Sequence, residues 1–208
     1  MNYITKIIIG AIFIVLLILN FIIVSKLRYY KMKLQVNEKE LSYIKNNKEF
    51  TYQINFLQSL KSDGYRYNDI DLKLENQHII SLYDYMKNKT NILVLRISDM
   101  HCSECVISIL TKFNRQSAEL NLKEHILILG SYRNPIELKS VRLLVPNLHV
   151  FNIEGNIPPF PLEANDYPYC FILNQEMTVM HSFTPNKTVH DITNSYLQNI
   201  SQRYFQTN

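Results

Sequence analysis

The segment Asn91-Ile92-Leu93-Val94-Leu95-Arg96-Ile97 runs directly into Ser98-Asp99-Met100-His101-Cys102-Ser103-Glu104-Cys105. Val106, Ile107, Ile109, Leu110 and Phe113 follow at helical spacing. A short run that is apolar on both alternating faces predicts a strand buried within a sheet. A strand feeding a helix places Cys102 at the helix start, beside backbone N–H groups that lack helical partners and at the positive end of the helix dipole. Both features favour thiolate over thiol. Cys105 lies one turn deeper, where it can close a disulfide. An exposed thiolate that attacks and a buried thiol that resolves is the division of labour disulfide exchange requires. Cys102 is therefore expected as nucleophile and Cys105 as resolving residue. Two neighbours modulate the pair: a protonated His101 would favour the thiolate further, whereas Glu104 would oppose it. Arg96, in an apolar strand, needs an anionic partner. Asp99 and Glu104 are the candidates nearest in sequence.

Beyond this motif the pattern alternates between short apolar runs and amphipathic ones. Strands are predicted at His78–Leu82, His125–Gly130 and Leu148–Ile153, with a helix near Glu137–Leu144. Tyr169–Asn174 and Thr178–Phe183 read as a hairpin, and Thr188–Tyr204 closes the chain as an amphipathic helix. Strands alternating with helices imply an α/β sheet with helices on its faces. Cys170, on a strand of alternating character, reads as core packing.

Composition removes other chemistries. The four glycines (Gly10, Gly64, Gly130, Gly155) are scattered, so no phosphate-binding loop or dinucleotide fingerprint is present. No zinc-protease helix motif and no nucleophile elbow occurs. Residues 1–61 hold nine Lys and Arg against three Glu, which leaves the remainder of this +4 chain mildly acidic. A nucleic-acid-binding domain would want the opposite distribution, so no nucleic-acid partner is expected.

That basic excess flanks an apolar run, Ile7 to Val24, bracketed by Lys6 and Lys26. At about 1.5 Å per residue its 18 residues span roughly the hydrocarbon core of a bilayer. The run is long for a signal-peptide core and ends without a small-residue cleavage site. An uncleaved anchor over 1–25 is expected, dipping into the lipid bilayer through 7–24. Residues 26–62, polar with leucines at helical intervals, read as a helical stalk capable of weak self-association, and 63–208 form the globular domain.

The stretch from about Asp69 to Tyr204 resembles a thioredoxin-like domain of the TlpA-type redoxin group. The likeness lies in Leu74-Glu75-Asn76 through Tyr85, in Ile92–Ile97 running into Cys102–Cys105, and in Tyr167-Pro168-Tyr169-Cys170 with its hairpin. It implies a thioredoxin-like fold with a central mixed sheet, preceded by the transmembrane helix and stalk. It also implies thiol–disulfide oxidoreductase activity on protein thiols or disulfides, without cofactor or metal. Pro168 would begin a late strand as a cis-proline facing the disulfide. The chain departs from the pattern in having no Trp before the first cysteine, Glu104 in place of a Pro, and Arg96 where a buried acid is usual. The family's tethered members work outside the cytoplasm, whereas Lys26, Arg28, Lys31 and Lys33 after the span favour an inward-facing domain. The expected location is the bacterial inner membrane, single-pass, with the domain in the periplasm.

Met100-His101-Cys102-Ser103-Glu104-Cys105 also resembles the loop of heavy-metal-associated domains. Two soft thiolates three apart suit Cu(I). The alternative is thus a non-enzymatic Cu(I)-binding or redox-sensing module on a short βαββαβ unit.

Overall fold

The computed structural model describes residues 23–28, 30–34, 53, 55–74, 76–155, 159–163, 166–185 and 190–206. The chain divides into two units, 1–52 and 53–208. In the first, residues 23–28 and 30–34 are helical. The apolar run 7–24 lies outside the described residues except for Ile23 and Val24. Among the described residues no helix is long and apolar enough to cross a membrane.

In the second unit, residues 55–62 are helical and end in a turn at Asp63-Gly64, where Gly64 takes φ +80°. That left-handed backbone suits a residue without a Cβ. The elements that follow are β1 (Asp71–Lys73), β2 (Ile79–Ser81), α1 (Leu82–Met86), β3 (Asn91–Ser98), α2 (Ser103–Glu119), β4 (Ile126–Ser131), α3 (Pro135–Leu144), β5 (His149–Glu154), β6 (Tyr169–Asn174), β7 (Val179–Phe183) and α4 (His190–Ile200). The strands, hairpin and α3 predicted for the globular part are found within a residue or two of their expected limits, and the last helix, expected to Tyr204, is α-helical to Ile200 and π-helical over Ser201–Phe205. β1, a three-residue strand, and α1, a five-residue helix, are exceptions that the sequence pattern did not announce. Thr188 and Val189 of the predicted last helix lie outside the described residues.

The seven strands form one mixed sheet in the order β2-β1-β5-β4-β3-β6-β7. β3 runs parallel to β4 and β4 to β5, while β6 is antiparallel to β3 and β7 to β6. This is the expected α/β arrangement, a central mixed sheet with helices, and it differs from a βαββαβ unit.

β3 is central because both of its faces are apolar. Leu93, Leu95 and Ile97 pack with Val106, Ile109, Leu110 and Phe113 of α2, with Val141 of α3 and with Leu197 and Ile200 of α4. On the other face, Ile92 and Val94 meet Tyr67, Leu82, Met86, Phe160, Leu162 and Phe171. Each such buried aliphatic side chain contributes about 1.5–3 kcal/mol relative to exposure. With apolar residues committed to both sides, β3 has no alternative edge position. The loop leaving its carboxyl end is thereby fixed in space.

The helix caps follow local chemistry. Ser81 Oγ accepts from the Asp84 N–H at the start of α1, and Asn134 Oδ1 accepts from the Ile136 N–H at the start of α3. Pro135 occupies the first turn of α3, where its missing N–H costs nothing.

Candidate active site

The chain leaves β3 at Ser98 and turns tightly into α2. Asp99 N–H donates to the Ser131 carbonyl (3.2 Å), Met100 N–H to Ser98 Oγ (3.3 Å) and His101 N–H to the Ser98 carbonyl (3.2 Å). Cys102 is the N-cap residue of α2, with φ −51° and ψ 113°, and its carbonyl accepts the first helical bond from Val106 N–H at 3.0 Å. Cys102 is half-buried and Cys105, one turn on, is buried. The first thiol is thus the more exposed of the two, though half-buried where the sequence led one to expect an exposed one.

A second segment meets the first. Cys102 N–H donates to the Asp166 carbonyl at 3.0 Å. Asp166 stands two residues before Pro168, which is buried and leads into β6. β6 pairs with β3 so that Tyr169 stands opposite Arg96 and Cys170 opposite Leu95. The sheet thus brings Cys102, Cys105 and Pro168 to one end of adjacent strands. The expectation of a cis bond is corrected: there is no cis peptide bond among the described residues, and Tyr167–Pro168 is trans. Trans is favoured by about 0.5–1 kcal/mol for X-Pro bonds in the absence of a context that reverses it.

Arg96 is fully buried, and the carboxylate that grips it is Glu163, a residue not among the two candidates, Asp99 and Glu104, that lie nearest in sequence. Its Nη2 lies 2.5 Å from Glu163 Oε1 and its Nε donates to Glu163 Oε2 at 3.3 Å, a two-pronged pair. Its Nη1 donates to the carbonyls of Ile97 and Leu129. Tyr169 Oη donates to Glu163 Oε2. Asp99 instead pairs with exposed Arg133 at 3.8 Å, and Glu104 sits exposed in the first turn of α2. The reason is the direction of the side chain. Arg96 alternates with Leu95 and Ile97 and so points away from α2, into the face that Glu163 covers.

His101 is buried, and its ring packs edge-on against Tyr169 at 6.4 Å between centroids. Burial, reinforced by the Arg96 charge, pushes its titration down to about 4. His101 is therefore neutral near pH 7. The supporting positive charge that a protonated His101 would have supplied to Cys102 is absent there. The helix N-terminus remains as the feature favouring thiolate.

Cys170 is fully buried, and burial pushes its thiol well up. Its Sγ lies 3.5 Å from the Phe183 carbonyl. His181 is engaged elsewhere, with its Nε2 2.7 Å from Tyr204 Oη. Among the described residues, no group of three or more His, Cys, Asp or Glu converges in the manner of a metal site.

Glu163, Tyr169 and Tyr67 were not singled out from sequence. Tyr67 Oη and His101 Nδ1 are buried atoms without a hydrogen-bond partner beside this cluster. The signal that could have found Glu163 is the buried cation itself, which obliges an acid somewhere in the fold.

No family model matches the sequence, and no curated protein matches it. Among solved structures, the chain is similar to a thiol:disulfide interchange protein from Bacteroides sp., at 12% identity and TM-score 0.45, over 65% of this chain and 90% of that one. It is similar to the thioredoxin domain of a thiol-disulfide oxidoreductase from Bacteroides vulgatus, at 12% identity and TM-score 0.45, over 65% and 97%. The pneumococcal exposed lipoprotein thioredoxin from Streptococcus pneumoniae is similar at 16% identity and TM-score 0.41, over 64% and 99%. Likenesses this distant are likenesses of fold and assign no chemistry to Cys102 or Cys105.

Proposed function

We propose that this protein is a membrane-tethered thiol–disulfide oxidoreductase that exchanges disulfides with protein thiols through Cys102 and Cys105. The observation that carries the reading is the placement of the two thiols. Cys102 is half-buried at the N-terminal boundary of α2, its N–H bound to Asp166 ahead of Pro168, and Cys105 is buried one turn inside.

In the reducing direction, the Cys102 thiolate attacks one sulfur of a partner disulfide. A Cys102–partner bond forms as the partner's S–S bond breaks, and the departing sulfur leaves as thiolate and takes a proton. Cys105, deprotonated, then attacks Cys102 Sγ. The intramolecular disulfide forms and the second partner thiolate leaves, so two electrons pass from the protein to its partner. The oxidising direction is the same sequence reversed. The exchange uses no cofactor, because the sulfurs carry the electrons.

Residues 1–25 serve as anchor, 26–62 as stalk and 63–208 as the redox domain in this reading. Its location is the bacterial inner membrane with the domain in the periplasm. The apolar run between Lys6 and Lys26 supports the anchor, and the resemblance to tethered redoxins supports the outward orientation. An alkaline-phosphatase fusion after Gly64 is active in that orientation. Activity of a cytoplasmic reporter alone at the same site would reverse it.

The test of the chemistry is a Cys105→Ser full chain, which cannot resolve its first intermediate. Mixed disulfides to Cys102 accumulate and are identified by mass spectrometry. Failure of Cys102 to capture any partner, with stoichiometric Cu(I) bound by the wild-type chain carrying both thiols, would refute the oxidoreductase reading in favour of metal binding.

A further inference from the structure

We propose that Glu163, gripped by Arg96 and Tyr169, is a positioning residue for Cys102. The inference rests on the reading of Cys102 as the attacking thiol. Four observations lead to it.

Glu163 belongs to the face of the sheet opposite α2, where its neighbours Phe160 and Leu162 are buried in the apolar cluster. Its carboxylate is nevertheless held by three bonds, two from Arg96 and one from Tyr169. A surface strap that only shielded the core would not need them. Arg96 projects from β3, two residues before the turn that carries Cys102, and Tyr169 opens β6 directly after Pro168. The grip therefore ties the residues ahead of β6 to both strands that frame the site.

Glu163 also lies three residues before Asp166, whose carbonyl accepts the Cys102 N–H at 3.0 Å. Three residues reach at most about 10–11 Å, so fixing Glu163 limits where Asp166 can stand. A second connection runs through side chains: Tyr169, bonded to Glu163, packs against His101, the residue next to Cys102. Both routes end on the same backbone.

The charged and titratable groups on the elements that meet at Cys102 include Cys105 and Glu104 on α2, Asp99 and neutral His101 in its own turn, Arg133 beyond β4, Asp166 and Tyr169 at the start of β6, and the Arg96–Glu163 pair. Within this set, Glu163 is the anion that balances the one fully buried cation.

The test uses the full chain in detergent, in a Cys105→Ser background so that alkylation reports Cys102. Two readouts are compared in Glu163→Gln: amide hydrogen exchange at Cys102, and the pH midpoint of Cys102 alkylation. Leu122→Ala, a core change beyond the far end of α2 and on the opposite face of the sheet from Glu163, serves as the control for general destabilisation. Glu163→Gln speeds Cys102 amide exchange at least about tenfold beyond the change seen at core amides of β4. It also lowers the alkylation midpoint by at least about half a pH unit, because Arg96 is then unbalanced. Leu122→Ala does neither. Should Glu163→Gln not fold, Tyr169→Phe removes one of the three bonds and raises Cys102 amide exchange in the same direction by a smaller factor. Wild-type exchange at Cys102 in whichever of these variants folds, or an unmoved midpoint in Glu163→Gln, would overturn the proposal. Neither result would bear on whether Cys102 captures partner thiols, which the Cys105→Ser trap measures separately.

Discussion

The amide nitrogen of Cys102 lies 3.0 Å from the carbonyl oxygen of Asp166, so two segments 64 positions apart in the chain meet by a backbone hydrogen bond at the first cysteine. One segment is fixed because β3 is buried on both faces. The other is fixed by Pro168 and by the Glu163 carboxylate. The accessibility of Cys102 is thus a property of the sheet end as a whole.

Breaking the Arg96–Glu163 pair from one side strands a buried charge. Glu163→Ala is expected to cost about 3–5 kcal/mol of folding stability, and Arg96→Met with Glu163→Leu together far less, since the double change removes both charges. Urea unfolding of the two variants at pH 7 checks the difference.

His101 gives stability a pH dependence. Its folded-state value of about 4 lies below its ordinary 6.5, so between these the unfolded chain binds more protons than the folded one. Stability from this group is complete above about pH 6.5 and falls as pH drops towards 4. His101→Phe keeps an aromatic ring against Tyr169 and flattens that part of the curve. Unfolding free energies measured from pH 4 to 8 test the sign. A curve that rises on acidification through this window, and loses the rise in His101→Phe, would contradict it.

Cys170 is sealed in the core beside Phe183 and has a strongly raised thiol. In the native chain it is expected to resist iodoacetamide under conditions that label Cys102 fully, and to react at ordinary rates only once unfolded. Peptide mass spectrometry after labelling with and without denaturant distinguishes the three cysteines.

The run from Ile7 to Val24 predicts that the full chain stays with the membrane pellet through alkaline carbonate extraction. Release of the full chain to the supernatant would remove the anchor from the account.

Much of the fold was legible because its central strands are long apolar runs that period-two and period-3.6 patterns separate cleanly. Asn91–Ile97, His125–Gly130 and the Tyr169–Phe183 hairpin are of this kind. β1 escaped because Asp71-Leu72-Lys73 is three residues long and buries only one apolar residue, too little for a period-two pattern. The placement of the two cysteines was legible for a local reason, since the strand–helix junction that holds them is built by their own neighbours. Glu163 was not, because its partner Arg96 is 67 residues away and nothing between them signals the contact. The state of His101 depends on burial against Tyr169, again a contact made only by the folded sheet. The trans bond before Pro168 is the ordinary preference of an X-Pro bond, and the expectation of cis came from the family resemblance alone.

The central claim is that Cys102 and Cys105 form an exchanging pair. The most direct measurement incubates the fully reduced full chain with an excess of a disulfide-containing protein and maps both products by mass spectrometry. The account predicts a Cys102–Cys105 disulfide in this chain, an equal amount of newly reduced partner, and Cys170 still a thiol. Persistence of the partner's disulfide, with Cys102 and Cys105 both remaining thiols, would contradict it.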